Sequence, residues 1–182
     1  GKAEFDARCY RTIFAREYPD AGFISVGNEA EVRQDTVRLG PATEALVSGT
    51  TVIRVVDQDD RTAQEIADLR TEGVRVLSKR HLEAYLMDDE ILTMLCEAQG
   101  RPDAVQPVLD AKRRAIAESI NRGNPTDDVK SASGQIYEQT KKILKLTQAG
   151  NTAQAFMRDT LAPLVAPGTT TYADLKLDIF NE

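Results

Sequence analysis

Three acidic residues directly follow a short run of β-branched residues in the first half of the chain. Val52-Ile53-Arg54-Val55-Val56 leads into Asp57-Gln58-Asp59-Asp60. If the backbone stays extended through Asp59, the side chains of Asp57 and Asp59 point to the same side, because side chains alternate along a strand. Mg²⁺ prefers oxygen ligands and is commonly held by one or two carboxylates together with substrate phosphates. The motif therefore indicates phosphoryl chemistry, and it is equally typical of a polar turn that caps the next helix.

The residues around this motif follow a strand–helix–strand–helix order. The continuous β-branched character of residues 52–56 is typical of a strand that is buried on both faces, as in a parallel sheet. Thr62 is expected to cap a helix that runs to Arg70, with Glu65 at the capping-box position. Gly73 ends that helix, a third strand covers residues 74–77, and a helix follows from about 88 to 98. Short joins between such elements predict a parallel sheet.

The ends of the chain predict mostly helix. Apolar residues at helical spacing predict a helix over residues 4–18, stopped by Pro19. A short strand is expected over residues 23–26, with Asn28 as a cap for a brief helix and helix again in the second half of 35–48. After Gly100 only helical patterns follow, over about 103–121, 131–148, 151–162 and 171–180. We therefore predict an α/β core over residues 1–100 and an α-helical extension over residues 101–182.

Charge is distributed unevenly along the chain. The 182 residues carry a net charge of −6, which argues against a strong sequence-independent nucleic-acid binder acting alone. Residues 111–146, however, hold eight basic residues against four acidic ones. This segment suits a surface for a phosphate backbone, although ordinary solvated helix faces are the commoner explanation of such a charge run. The candidate nucleic-acid contacts are Lys112, Arg113, Arg114, Lys141 and Lys142.

The rest of the composition predicts a cytoplasmic protein. No run approaches the roughly 20 apolar residues of a membrane helix, so no membrane partner is expected. Cys9 and Cys96 are far apart in sequence, and we expect both to be buried and reduced. The single histidine, His81, cannot build a zinc site by itself, and a packing or surface role is expected for it.

Three segments, taken in order, resemble the Toprim domain of OLD-family ATPase-nucleases and related ABC-type ATPases. They are Gly1 to Tyr10, Val55 to Arg61 and Leu82-Glu83-Ala84-Tyr85-Leu86. In that family an aspartate opens a helix after the first strand, a later strand ends in Asp-x-Asp, and a further strand leads into Leu-Glu-x-Tyr-Leu. The closing segment, residues 172–180, resembles the end of such proteins. The resemblance covers residues 1–95 well and the helical tail loosely.

This resemblance implies a Toprim-like, Rossmann-like parallel sheet flanked by helices. It also implies a two-metal nuclease that cuts DNA, with RNA as the less favoured substrate. Asp57 and Asp59 would bind Mg²⁺ or Mn²⁺, with Asp6 and Glu83 as further ligands. Lys130 would neutralise charge in the transition state. An ATPase domain or subunit outside this sequence, which contains no Walker motif, would gate cleavage. A second copy of the chain is a further expected partner, and the family analogy implies a role in phage defence or DNA repair.

Three alternatives stay open at this point. The family places a glutamate at the end of a strand directly before Gly1, so this acid is expected upstream or is lacking. If it is lacking, the domain is a catalytically inactive regulatory or assembly module. Glu83 has a purely structural alternative, since it could equally be a salt-bridged helix residue. A HAD-like phosphatase is a third reading of Asp-x-Asp, although its downstream Thr or Ser and Lys motifs cannot be located.

Overall fold

The computed structural model describes residues 3–25 and 51–181. Within these residues the chain is a mixed α/β structure with a small parallel sheet and helices around it. The strands are β1 (Arg54–Val56) and β2 (Val74–Val76). The helices are α1 (Ala3–Phe14), α2 (Ala63–Thr71), α3 (Leu82–Leu86), α4 (Asp89–Ala98), α5 (Val105–Asn121), α6 (Val129–Leu144), α7 (Ala153–Phe156) and α8 (Thr170–Phe180). None of the helices in these ranges combines the length and the apolar composition that a membrane crossing needs.

The two strands form the predicted parallel βαβ unit. Arg54 lies opposite Val74 and Val56 opposite Val76, with α2 connecting the strands. Thr62 caps α2, and the predicted capping box with Glu65 is present. Parallel pairing, the connecting helix and its cap are therefore confirmed.

The strands are shorter and less buried than predicted. Val52 and Ile53 precede β1 and are 37% and 39% exposed, and Val56 is the only buried residue of this strand. Burial on both faces was expected and is wrong for β1, since Arg54 and Val55 are only partly buried. Residues 23–25 form no strand. Their one large aromatic ring, Phe23, stacks instead on rings of α1.

Several helix ends differ from the prediction. Helix α1 ends at Phe14, four residues before the predicted end, and α6 ends at Leu144, followed by Lys145 in a left-handed conformation. The predicted helix over 151–162 is broken into α7, a wider π-type segment (Met157–Leu161) and a 3₁₀ turn (Ala162–Leu164) that contains Pro163. A proline has no backbone N–H to donate and disrupts a continuing helix. The predicted cap at Asn28, the helix in 35–48 and the end of the 23–26 strand lie outside the described residues.

One large hydrophobic core joins the two halves of the chain. It includes Phe14, Tyr85 and Leu92 from the first hundred residues and Ile136 and Phe156 from the remainder. Both cysteines are buried and free, as predicted. A smaller cluster of Val56, Leu69, Val74 and Val76 packs α2 against the strands. Residues 1–100 and 101–182 thus share a core, and the division at residue 100 stays a prediction about sequence pattern.

Hydrogen bonds join helix α8 to the segment after β2 and to α4. The carboxylate of Asp178 accepts hydrogen bonds from the Ser78 backbone N–H (2.9 Å), the Ser78 hydroxyl (2.8 Å) and the Tyr85 hydroxyl. At the other end of α8, the Glu90 carboxylate accepts from the backbone N–H groups of Thr170 and Thr171. The bonds of Asp178 thereby stabilise the segment between β2 and α3, which leads into Glu83.

Candidate functional site

Two carboxylates and one ammonium group meet where the two strands end. Asp57 directly follows β1, and Glu83 lies in the first turn of α3, after β2. Lys130 lies in the first turn of α6, with its Nζ 4.0 Å from Asp57 Oδ2 and 3.8 Å from Glu83 Oε1. The Glu83 side chain is only 7% exposed. We call these three residues the acid–lysine cluster.

The chain brings the cluster together for two structural reasons. The carboxyl ends of parallel strands meet at one edge of a sheet, which is where ligands bind in open α/β sheets. That edge places Asp57 next to the segment that begins α3. Helix α6 starts in a fixed place because Asp128 caps it: its carboxylate accepts from the Ser131 backbone N–H (3.0 Å) and hydroxyl (2.6 Å). Lys130 lies two residues beyond this cap and so enters the cluster in the first turn.

The surroundings of Asp57 favour its neutral form. Burial, followed by the negative charge of Asp6, raises the pKa of Asp57 to about 7; Glu83 and Asp59 contribute in the same direction, and Lys130 opposes them. A carboxyl with a pKa near neutrality is unusual, and such groups concentrate at functional sites.

Helix α1 carries Asp6, whose negative charge acts on several groups near the cluster. Burial raises the pKa of Tyr10 well above its ordinary value, and the charges of Asp57 and Asp6 contribute in the same direction. Burial, followed by the charges of Asp6 and Glu83, raises the pKa of the Cys9 thiol to about 12. Asp6 therefore acts electrostatically on the same groups as the cluster, and its role as a metal ligand stays a prediction.

Asp59 does not follow the alternation expected from the sequence. Its backbone is left-handed, with φ 48°, so the extended conformation that would align it with Asp57 ends before it. The Asp59 backbone N–H donates to the Arg80 carbonyl (3.1 Å), which stabilises the turn. Its carboxylate lies 3.2 Å from His81 Nε2 and 3.3 Å from Arg61 Nη1. Asp59 is thus near the cluster with its carboxylate already engaged.

His81 and its neighbours are the part of the site that sequence reasoning missed. His81 is buried, with 6% exposure, and burial followed by the charge of Lys130 lowers its pKa. His81 Nε2 lies 3.2 Å from Asp59 Oδ1, while Nδ1 has no hydrogen-bond partner and lies 3.9 Å from Asp128 Oδ1. Two signals could have found these residues: the Arg80-His81 pair stands just before Leu82-Glu83, and Asp128 stands two residues before Lys130.

Most of the basic residues predicted to contact nucleic acid have partners outside the cluster. Lys141 lies about 16 Å from Lys130 along α6, at 1.5 Å per residue. Lys112 pairs with Asp89 (2.6 Å), Arg113 pairs with Asp110, and Lys141 lies 3.4 Å from the Gly150 carbonyl. The remaining two, Arg114 and Lys142, are exposed. None of these contacts involves the acids of the cluster, and a role in nucleic-acid binding stays a prediction.

The residues of the cluster fit a divalent cation in chemistry. Carboxylate oxygens are the ligands of Mg²⁺ and Mn²⁺, and Mg²⁺ sites often use only one or two of them, with water and phosphate completing the shell. Burial and the negative charge of Asp6 raise the pKa of Asp57, and a bound cation would favour its ionised form. Over residues 3–25 and 51–181, no group of three or more His, Cys, Asp or Glu side chains is arranged to hold a metal ion. The residues therefore fit a site in which Asp57 and Glu83 would supply the protein ligands and water or phosphate would supply the rest.

Comparison with protein-family models, with curated proteins and with solved structures finds no match to this chain. The residues of the site and the resemblance of the three segments are therefore what indicates a function.

Proposed function

We propose that this chain is a metal-dependent nuclease domain that hydrolyses phosphodiester bonds of DNA, with a Toprim-like core and Mg²⁺ or Mn²⁺ as cofactor. The observation that carries the proposal is the convergence of Asp57, Glu83 and Lys130 from three separate elements at the ends of parallel strands. An ATPase domain or subunit that gates cleavage is part of the same proposal and is supported by the resemblance alone. A cytoplasmic setting is also part of it and is supported by the composition, with two buried, free cysteines.

Each residue of the cluster has a distinct role in this proposal. Asp57 and Glu83 would hold the cation, which when bound supplies an activated water and stabilises the leaving oxygen. Lys130 offers a positive charge within reach of both acids and would balance the charge that develops on the scissile phosphate. Asp57 can act as a ligand only when ionised, so its raised pKa makes metal binding depend on pH around neutrality.

Cleavage of supercoiled plasmid by the full-length protein in Mn²⁺ tests the proposal. Asp57→Asn removes a ligand charge at almost constant side-chain size and should abolish nicking. Asp68→Asn is the matched control, because Asp68 is an exposed carboxylate of α2 whose hydrogen-bond partner is Gln64. Nicking by Asp57→Asn at the rate of the parent protein would contradict the metal assignment.

A second function is favoured by the same distances. The Lys130 ammonium already lies between the two carboxylates and can serve as their counter-ion without a metal. In that case the domain would be a catalytically inactive regulatory or assembly module that keeps the fold as a scaffold. Calorimetric titration with Mn²⁺ separates the two functions: heat of binding at millimolar Mn²⁺ that is lost in Asp57→Asn supports the nuclease, and its absence from the parent protein supports the scaffold.

A further inference from the structure

We propose that Arg80 is a positioning residue that holds Lys130 against Asp57, by joining the turn over residues 57–60 to the start of α6. The inference rests on the proposed function, since Lys130 acts on the substrate phosphate there. It adds a residue to which the resemblance assigns no role.

Arg80 contacts both segments at once. Its guanidinium pairs with the Asp60 carboxylate on one side, and its Nη1 lies 3.3 Å from Asp127 Oδ1 on the other. Its backbone carbonyl accepts the Asp59 N–H at 3.1 Å. The residue is 8% exposed, which is rare for an arginine unless it is paired. A planar guanidinium with several fixed donors is suited to bridging two carboxylates.

His81 lies between the same two segments. Its Nε2 lies 3.2 Å from Asp59 of the turn, and its Nδ1 lies 3.9 Å from Asp128, the residue that caps α6, without a hydrogen bond. Arg80 is therefore the residue of this pair that is bonded to both segments, and His81 packs beside it.

The position of Lys130 depends on these links because it follows Asp127 by only three residues. Its Nζ lies 4.0 Å from Asp57 and 3.8 Å from Glu83, both at the outer limit of an ion pair. A small displacement of the first turn of α6 therefore separates the charges. Misplacement of a catalytic group by about 1 Å can lower a rate by about 100-fold.

The test combines kinetics with hydrogen exchange on the full-length protein. Arg80→Gln should lower kcat for Mn²⁺-dependent cleavage by about 10-fold or more while KM for DNA changes little. In a Lys130→Met background the same substitution should change the residual rate by less than about twofold, because the positioned group is gone. Amides of residues 131–135 should exchange faster in Arg80→Gln.

Controls keep the result decisive. Arg101→Gln removes an exposed Arg–Asp pair with Asp103 and should alter neither rate nor exchange. Asp127→Asn, at an exposed partner of Arg80, should reproduce the exchange effect in part if Arg80→Gln fails to fold. Equal rate losses with and without Lys130, or unchanged exchange at 131–135, would overturn the inference. A parent protein that cleaves nothing would overturn the proposed nuclease, and exchange would still decide the role of Arg80.

Discussion

The Asp57→Asn substitution should stabilise the folded protein at alkaline pH and not at acidic pH. In the folded protein Asp57 lies among Asp6, Glu83 and Asp59, and its pKa is raised from 3.8 to about 7. A raised pKa means that the native state keeps a proton that the unfolded chain has released. The contribution of Asp57 to stability is therefore most favourable below about pH 3.8 and is lost as pH rises through about 7.

The size of the effect follows from the distance between the two pKa values. They are separated by about three pH units, and each unit corresponds to about 1.4 kcal/mol, which gives an upper value of about 4 kcal/mol. The Asp57 side chain is 25% exposed, so water lowers part of this cost. Asparagine has no charge at any pH, and we expect the advantage of Asp57→Asn to grow by about 2 to 4 kcal/mol between pH 4 and pH 8.

Urea unfolding of the parent protein and of Asp57→Asn at both pH values measures this growth. The acidic measurement is the internal control, because it reports the cost of replacing a neutral carboxyl by an amide. A free-energy difference between the two proteins that is the same at pH 4 and pH 8 would refute the reasoning. It would show that Asp57 is not held among like charges in a poorly solvated place.

Other substitutions test neighbouring parts of the account. Lys130→Met should lower the free energy of unfolding by about 1 to 2 kcal/mol at pH 8 and by less at pH 4, measured by urea unfolding, because Asp57 loses its nearest cation. Saturating Mn²⁺, at about 100 times its Kd, should stabilise the parent by about 2.7 kcal/mol at pH 8 and Asp57→Asn by far less, seen as a difference in Tm shift. Asp178→Ala should cost about 3 kcal/mol in thermal unfolding, since buried Tyr85 loses its charged acceptor. Thr62→Ala should cost about 1 kcal/mol through the lost helix cap.

Local signals predicted local structure well. The capping box of Thr62 and Glu65 and the end of α2 at Gly73 depend on residues within a few positions, and the structure has both. The parallel strand pair followed from the short joins between strands and helix. Strand length could not be predicted in the same way, because residues 23–25 and 52–53 need a hydrogen-bonding neighbour that local sequence does not specify.

The sequence predicted which residues belong to the candidate site better than it predicted how their side chains are oriented. The Asp-x-Asp motif and the resemblance suggested Asp57, Glu83 and Lys130, and the structure places Lys130 Nζ within 4.0 Å of a carboxylate oxygen of each acid. The orientation of Asp59 escaped prediction because its left-handed turn is stabilised by the carbonyl of Arg80, a residue of another loop. The roles of Asp57, Glu83 and Lys130 in metal binding and cleavage stay predictions.

The same limit applies to charge. A count of basic residues over 111–146 predicted a nucleic-acid surface, but it cannot show which of them already have acidic partners. Lys112 meets Asp89 of α4, and that contact depends on how two helices pack. Likewise, the place of His81 between Asp59 and Asp128 depends on how separate loops pack, and its position just before Leu82-Glu83 was the single sequence signal for it.

Anomalous diffraction from crystals grown with Mn²⁺ tests the central claim most directly, because it locates the metal without reference to activity. The account predicts a manganese peak within about 2 to 3 Å of carboxylate oxygens of both Asp57 and Glu83. Manganese absent from this position, with Lys130 Nζ still lying between the two carboxylates, would contradict it.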